Sequence, residues 1–374
     1  SSRSHKPFIT PLIFEEKSKR SKLETIYRRH RTTSTLNDFK IQSRLVSRLI
    51  ANSKRSYYRN IISLCSKQPK KLWSTMNSLL SRNTPAVLPN ALSHSTLATS
   101  FLNFFEQKIT KLCSAFTSSH NVSPHTDPPI IPPRLSSFSP ASTDEVKTAI
   151  LKSSNASCDL DIIPTFLLKS CLDSLILPIT NIINLALLEG IFPDSFKSAS
   201  VRPLLKKHNL PTDDLSSYRP ISNLNFISKV LERIVLSRIN NHLQTFPSIC
   251  PFQSAYRKFH STETALLRIQ NDLLVASNQQ NVSALVLLDL SAAFDTIDHQ
   301  ILLTRLSSTF GLSDTALNLI ASYLTDRSQY ITVGEHRSSP APLSTGVPQG
   351  SVLGPLLFTL YTTPIGQILS NCSV

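Results

Sequence analysis

Residues 284–290 read ALVLLDL, and 291–299 continue as SAAFDTIDH. A short run of six apolar residues around one acid is too brief for most helices and predicts a buried strand. Asp289 then stands at the strand's C-terminal end. An ionised carboxylate is costly to bury alone, so it asks for a partner or a cation there. Mg²⁺ takes carboxylate oxygens together with substrate phosphates, which makes Asp289 a candidate metal ligand, although helix capping is the commoner use of such an Asp. Phe294, Asp295, Asp298 and His299 follow closely. Asp289, Asp295 and His299 together would suit a metallohydrolase. Against that, Asp298 is placed to cap the next helix and no second ligand cluster occurs, which leaves His299 structural.

Outward from this stretch, helices and strands alternate. Residues 142–145 (STDE) carry a capping-box pattern that opens a helix. An apolar helical stretch runs from Thr165, with Pro178 expected to break or kink it and Gly190 to cap its end. Residues 199–205 predict a strand, 225–243 a helix, 299–306 and 314–324 two more helices, and 329–333 another strand. Three of the seven glycines lie in GVPQGSVLGP (346–355), a loop where backbone approaches something closely. That loop lacks the GK[ST] ending of a phosphate-binding P-loop and the GxSxG of a hydrolase elbow. Lys206, Lys207 and Arg219 lie on the connection after the 199–205 strand. There they suit a triphosphate clamp, with Lys as a point charge and Arg as a fork.

The chain has 374 residues, 39 Lys+Arg against 24 Asp+Glu, and a formal net charge of +15. Residues 1–82 hold 19 of the basic and 4 of the acidic residues, so this segment carries the whole excess. In residues 36–64 apolar side chains recur at helical steps, with Arg44, Arg48, Lys54, Arg55 and Arg59 on the polar face. Such a stripe is the electrostatic footprint of a polyanion partner. Further helices are expected at 15–33, 73–80 and 97–112. Six prolines among Ser and Thr in 117–143 mark a linker and the clearest domain boundary. Six scattered cysteines without a CxxC pair argue against a disulfide scaffold or zinc module. No apolar leader opens the chain, and Lys169, Asp173 and Pro178 interrupt its most apolar stretch. An intracellular protein, in nucleus or cytoplasm and without a membrane span, is therefore expected.

Taken in order, VRPLLKK (201–207), SSYRPISNLNFISKVLERIV (216–235), PFQSAYRKFHSTETALL (251–267), LVLLDLSAAFDTIDH (285–299) and GVPQGSVLGPLLFTLY (346–361) resemble consecutive blocks of one family. It is the reverse transcriptase of non-LTR retrotransposons, LINE elements of the jockey type. The resemblance implies an α+β right-hand polymerase over 144–374, with fingers and an incomplete palm but no thumb. Before it would come the linker at 117–143 and a basic all-helical connector at 1–116. It implies RNA template, DNA primer and dNTP as partners, with an endonuclease elsewhere in a longer polyprotein, and two Mg²⁺ ions held by Asp289 and the Leu290 carbonyl. Phe294 matches the steric gate against a 2′-OH, Lys207 and Arg219 the triphosphate clamp, and Gln349 and Gly350 the loop at the nascent pair. Gln253, Arg257 and His260 match a template-side element, and Asp161 a motif ahead of the fingers. Ala255 departs from the family's usual Gly.

The family's second catalytic motif, Tyr-Ala-Asp-Asp, has no counterpart in these residues, where no Asp or Glu follows Glu335. One carboxylate does not hold two ions at two-metal spacing, so this polypeptide is expected not to polymerise. The competing expectation is a non-catalytic RNA- or DNA-binding remnant that works through the basic helices.

Overall fold

The computed structural model describes residues 8–64, 93–117, 132–207, 209–246 and 250–371, with Leu72, Met76, Leu88 and Pro89 besides. The helix expected at 73–80, apart from Met76, and the proline-rich residues 118–131 lie outside the described residues. The chain forms two compact units, Ser1–Ala86 and Val87–Val374.

The N-terminal unit is a helical hairpin. Helix α1 (Pro11–His30) starts with a proline where no intrahelical N–H is needed, and the Thr10 hydroxyl accepts the Ile13 N–H. It ends where Arg31 turns left-handed (φ 47°) and donates its N–H to the Tyr27 carbonyl. Helix α2 (Thr33–Leu64) runs back along it. Tyr27 stacks on Phe39 at 6.4 Å, and Gln42 bonds Glu16. Among the described residues of this unit, only Ile13 and Val46 are fully enclosed. Arg44, Arg48, Lys54, Arg55 and Arg59 are all exposed along α2.

In the C-terminal unit a five-stranded sheet meets a helical core. Strands β1 (Ser198–Leu205), β2 (Tyr218–Asn223), β3 (Ser328–Val333) and β4 (His336–Arg337) lie in the order β2-β1-β3-β4, and β5 (Ala341–Pro342) also pairs with β3. β1 runs antiparallel to β2, with Leu204 opposite Arg219, and parallel to β3, with Val201 opposite Ile331. Because strand side chains alternate, Val201, Tyr218, Ile331 and Val333 share one face. Helix α3 (His94–Thr117) covers that face with Leu97, Phe101 and Phe105, and Phe101 meets Tyr218 edge-on at 5.0 Å.

Helices α4 (Thr143–Lys152), α5 (Thr165–Ser170), α6 (Leu172–Glu189), α7 (Phe226–Leu243), α9 (His299–Ser308), α10 (Asp314–Leu324) and α11 (Gly354–Thr362) build the second core around Ile183, Leu231, Ile234, Phe310, Tyr323 and Leu357. Helix α8 (Thr262–Asn278) buries none of its residues, and α12 (Pro364–Asn371) follows α11.

Two expectations are corrected. Residues 281–290 have no regular secondary structure, and Leu287 and Leu288 are 81% and 85% exposed. A strand needs a neighbour's N–H and C=O groups to complete its ladder, and no described strand pairs with this run. The helical break falls at Cys171 instead of Pro178, which sits inside α6. One missing N–H is tolerated there because Leu172, Ile179 and Ile183 are held in the core on either side. That helix is long and apolar enough to cross a membrane by composition, yet a third of it is buried in the core. The compact units divide at Ala86 and Val87, upstream of the proline-rich stretch. Helix α3 packs on the sheet, and the end of the expected linker joins the core: Phe138 is buried and Leu135 bridges Leu312.

Candidate nucleotide site

The glycine loop is tied down from three sides. Along 292–299, the Phe294 and Ile297 carbonyls accept the Val347 and Gly346 N–H groups, both at 2.8 Å. His299 Nε2 donates to the Gly346 carbonyl at 2.8 Å, and Thr345 Oγ1 to that of Asp295 at 3.2 Å. On the sheet side, the Ser222 N–H donates to the Gln349 carbonyl at 2.8 Å. Beneath, the Glu232 carboxylate of α7 accepts the Val352 and Leu353 N–H groups at 2.7 and 3.1 Å. An anion is favoured there, because these donors open the N-terminus of α11.

Glu232 is completely buried; desolvation pushes its carboxyl above the ordinary 4.5, partly offset by the Leu353 N–H and the Arg327 cation. Asp295 is likewise pushed above 3.8 by burial, partly offset by its bond with Gln349. Gln349 Nε2 donates to both Asp295 oxygens, at 2.9 and 2.8 Å. These two side chains share a cavity wall with Ser222 and Pro220 of β2 and with Phe105 and Lys108 of α3.

Phe294 is half-buried, its ring 5.2 Å from Phe358 and 6.2 Å from Tyr256. Lys207 and Arg219 are exposed at the connected end of the β1–β2 hairpin, where β1 passes into the 206–217 connection. Lys206 donates to the Ser216 carbonyl at 2.8 Å. Its amine is held below the ordinary value by partial burial, then by the Lys108 and Arg219 cations. Three positive groups therefore crowd one end of the hairpin. In the 250–261 turn region, Gln253 Nε2 donates to the Ala255 carbonyl, Arg257 reaches the Gln253 carbonyl, and His260 contacts the Lys258 carbonyl. Asp161 accepts the Phe226 and Cys158 N–H groups at 2.7 and 2.8 Å, which fixes the start of α7.

Asp289 does not join this group. It is exposed on the irregular 281–290 run, beside an exposed Leu290. Among the described residues, no three His, Cys, Asp or Glu side chains gather as a metal site. The trio Asp289, Asp295 and His299 is thereby excluded as a metal centre. Asp295 serves Gln349, His299 serves Gly346, and Asp298 caps α9 at the Ile301 N–H. Nor does the donor set fit a pair of divalent ions, which need acidic oxygens bridging sites about 3.5–4 Å apart.

Sequence reasoning missed Glu232, Lys108 and the pairing of Asp295 with Gln349. Glu232 had a signal: it is the one acid in FISKVLERIV, a helical stretch otherwise dominated by Phe226, Ile227, Val230, Leu231, Ile234 and Val235. Lys108 had none, because its place beside the loop depends on how α3 packs on strands distant in sequence.

Residues 205–374 match the family "Reverse transcriptase (RNA-dependent DNA polymerase)". With its mixed sheet and helices, the C-terminal unit thus carries a reverse transcriptase domain. The RNA-directed DNA polymerase from mobile element jockey of Drosophila melanogaster is 34% identical over 193 residues, 50% of this chain and 21% of that protein. Its Drosophila funebris counterpart is 34% identical over 225 residues, 60% and 24% of the two chains. A probable RNA-directed DNA polymerase from transposon X-element of Drosophila melanogaster is 32% identical over 241 residues, 64% and 25%. The domain belongs to the reverse transcriptases of non-LTR, LINE-type retrotransposons. The chain spans about a quarter or less of the length of these relatives.

Proposed function

We propose that residues 87–374 form the fingers and the first part of the palm of an RNA-directed DNA polymerase that acts on an RNA template, a DNA primer and a dNTP. The observation that carries this reading is the anchored 346–354 loop, which brings Gln349 and Gly350 beside Phe294 and the β1–β2 hairpin. A preorganised loop orients a substrate without ordering cost at the moment of binding. Lys207 and Arg219, with Lys206 and Lys108 near them, supply the positive field for a triphosphate. Phe294 presents a bulky ring of the kind that excludes a ribose 2′-OH. Gln253, Arg257 and His260 lie on the exposed turn region assigned to the template.

In this reading Asp289, with the Leu290 carbonyl, is one part of a Mg²⁺ site that needs further acidic oxygens. No catalytic step is assigned to Asp289 alone. The 374-residue polypeptide is expected to give no product in primer extension on poly(rA)/oligo(dT) with Mg²⁺; incorporation of dTTP refutes this.

A second reading is favoured by α2. Its five exposed cations face solvent with little acidic counterweight, and nucleic-acid binding through them needs no polymerase site. Replacing Arg44, Arg48, Lys54, Arg55 and Arg59 by Gln is expected to flatten the salt dependence of RNA binding. The slope of log K against log salt falls by up to about 3.5, since each phosphate left unneutralised on a single strand removes ~0.7. An unchanged slope in a filter-binding titration shows that these cations touch no phosphate.

A further inference from the structure

We propose that Asp295 is a positioning residue that fixes which end of the Gln349 amide faces the nucleotide, so that the site offers an acceptor there and not a donor. The inference rests on the reading that Gln349 touches the incoming nucleotide or nascent pair.

An ionised carboxylate has only acceptors, and an amide has a donor end and an acceptor end. With Nε2 committed to both Asp295 oxygens at 2.9 and 2.8 Å, Oε1 must point away from Asp295. Both partners are held independently of that contact. The Asp295 N–H donates to the Ala292 carbonyl at 2.8 Å, and its own carbonyl accepts Thr345 Oγ1. The Gln349 carbonyl accepts the Ser222 N–H at 2.8 Å. The side chain is therefore fixed at its backbone and at its Nε2 end, leaving one oxygen for a ligand. The rotamer freedom of a glutamine is lost on folding and not on binding.

The chemical class follows. A lone carbonyl oxygen recognises a hydrogen-bond donor on a sugar or base and gives nothing to a phosphate oxygen, which only accepts. Nucleoside recognition and triphosphate recognition are thus separable: Gln349 and Asp295 serve the first, and the Lys206–Arg219 end of the hairpin the second.

The test is a fluorescence titration of the full 374-residue chain, bound to an RNA template with a dideoxy-terminated DNA primer. The two probes are the templated dNTP and inorganic tripolyphosphate. Asp295→Asn keeps shape and size but lets the Gln349 amide turn over. It is expected to weaken dNTP binding about tenfold, the loss of one good hydrogen bond, and to leave tripolyphosphate unchanged. Gln349→Ala is expected to do the same, and the double variant to lose no more than Gln349→Ala alone, the mark of two residues that act as one. In the amide spectrum, the Gln349 side-chain NH₂ protons are expected to exchange slowly in the parent and fast in Asp295→Asn.

Parent-like dNTP binding by Asp295→Asn overturns the assignment. So do additive losses in the double variant. Equal losses for dNTP and tripolyphosphate would make Asp295 merely structural and also overturn it. If the parent shows no saturable dNTP binding, the nucleotide reading itself fails, and this inference with it.

Discussion

Replacing Glu232 by Ala is expected to destabilise the C-terminal unit by about 2–5 kcal/mol, because it orphans the buried Leu353 N–H and the half-buried Val352 N–H, at up to roughly 1–3 kcal/mol each. The carboxylate is wholly enclosed and is the partner of the Val352 and Leu353 N–H groups; Ser228 Oγ also donates to it at 3.2 Å. It further faces Arg327, which is 2% exposed and lies 4.8 Å over the Tyr323 ring. Removing Glu232 leaves that cation without its compensating charge. For a unit of this size the loss should appear as a fall in Tm of roughly 5–10 °C. Glu232→Gln keeps an oxygen for both N–H groups and is expected to recover most of the loss. If Glu232→Ala melts with the parent, the loop is not held from below.

The pH dependence separates charge from shape. Burial raises the folded pKa of Glu232 above 4.5 and that of Asp295 above 3.8. Between each ordinary value and its raised one, the folded state binds more protons than the unfolded state, so stability falls as pH rises. The contribution is full below 4.5 for Glu232 and below 3.8 for Asp295, and is lost as pH climbs through the raised values. Relative to Glu232→Gln, the parent is therefore expected to gain Tm on acidification through that window. A parent curve parallel to that of the Gln variant shows that Glu232 titrates normally.

What was legible in the sequence follows from where the deciding forces act. The helices at Asp314–Leu324 and Phe226–Leu243 were readable because apolar spacing is local, and Asn225, where the second was expected to begin, accepts the Ile227 and Ser228 N–H groups. Gly190 was readable for the same reason: its φ of 68° is a left-handed cap. The strands at 198–205 and 328–333 announced themselves by composition, but not that they would lie parallel and share α3. ALVLLDL shows the limit. Its apolar content states what the run needs, a covering sheet, while pairing depends on groups far away. The site divides in the same way. Gln349, Gly350, Phe294 and Arg219 were named from their motifs, whereas the carboxylates that position the loop, Asp295 and Glu232, are defined by partners 54 and about 120 residues distant.

Gly350 is a position in the loop where even the smallest side-chain addition is expected to do large damage. Its φ of +136° lies where L side chains rarely go, at a cost of about 1–3 kcal/mol. A Cβ there would also sit 2.3 Å from the Ser222 carbonyl oxygen. That oxygen is backbone in β2, paired in register with β1, and cannot rotate aside. Gly350→Ala must therefore push the loop off the strand and break the Ser222 to Gln349 bond, for a total loss of about 3 kcal/mol or more. Gly354 is the internal control. It has no left-handed backbone, and the nearest atom to its Cβ is the Ser351 hydroxyl at 2.6 Å, the tip of a side chain that can turn away. The cost is then chiefly the bond from the Gly354 N–H to Ser351 Oγ, about 1 kcal/mol. Urea denaturation of the two variants is expected to rank Gly350→Ala well below Gly354→Ala. Because Gln349 is the neighbouring residue, only the Gly350 change should also weaken dNTP binding. Equal midpoints would show that the loop does not lie against β2, and the nucleotide site would have to be redrawn without it.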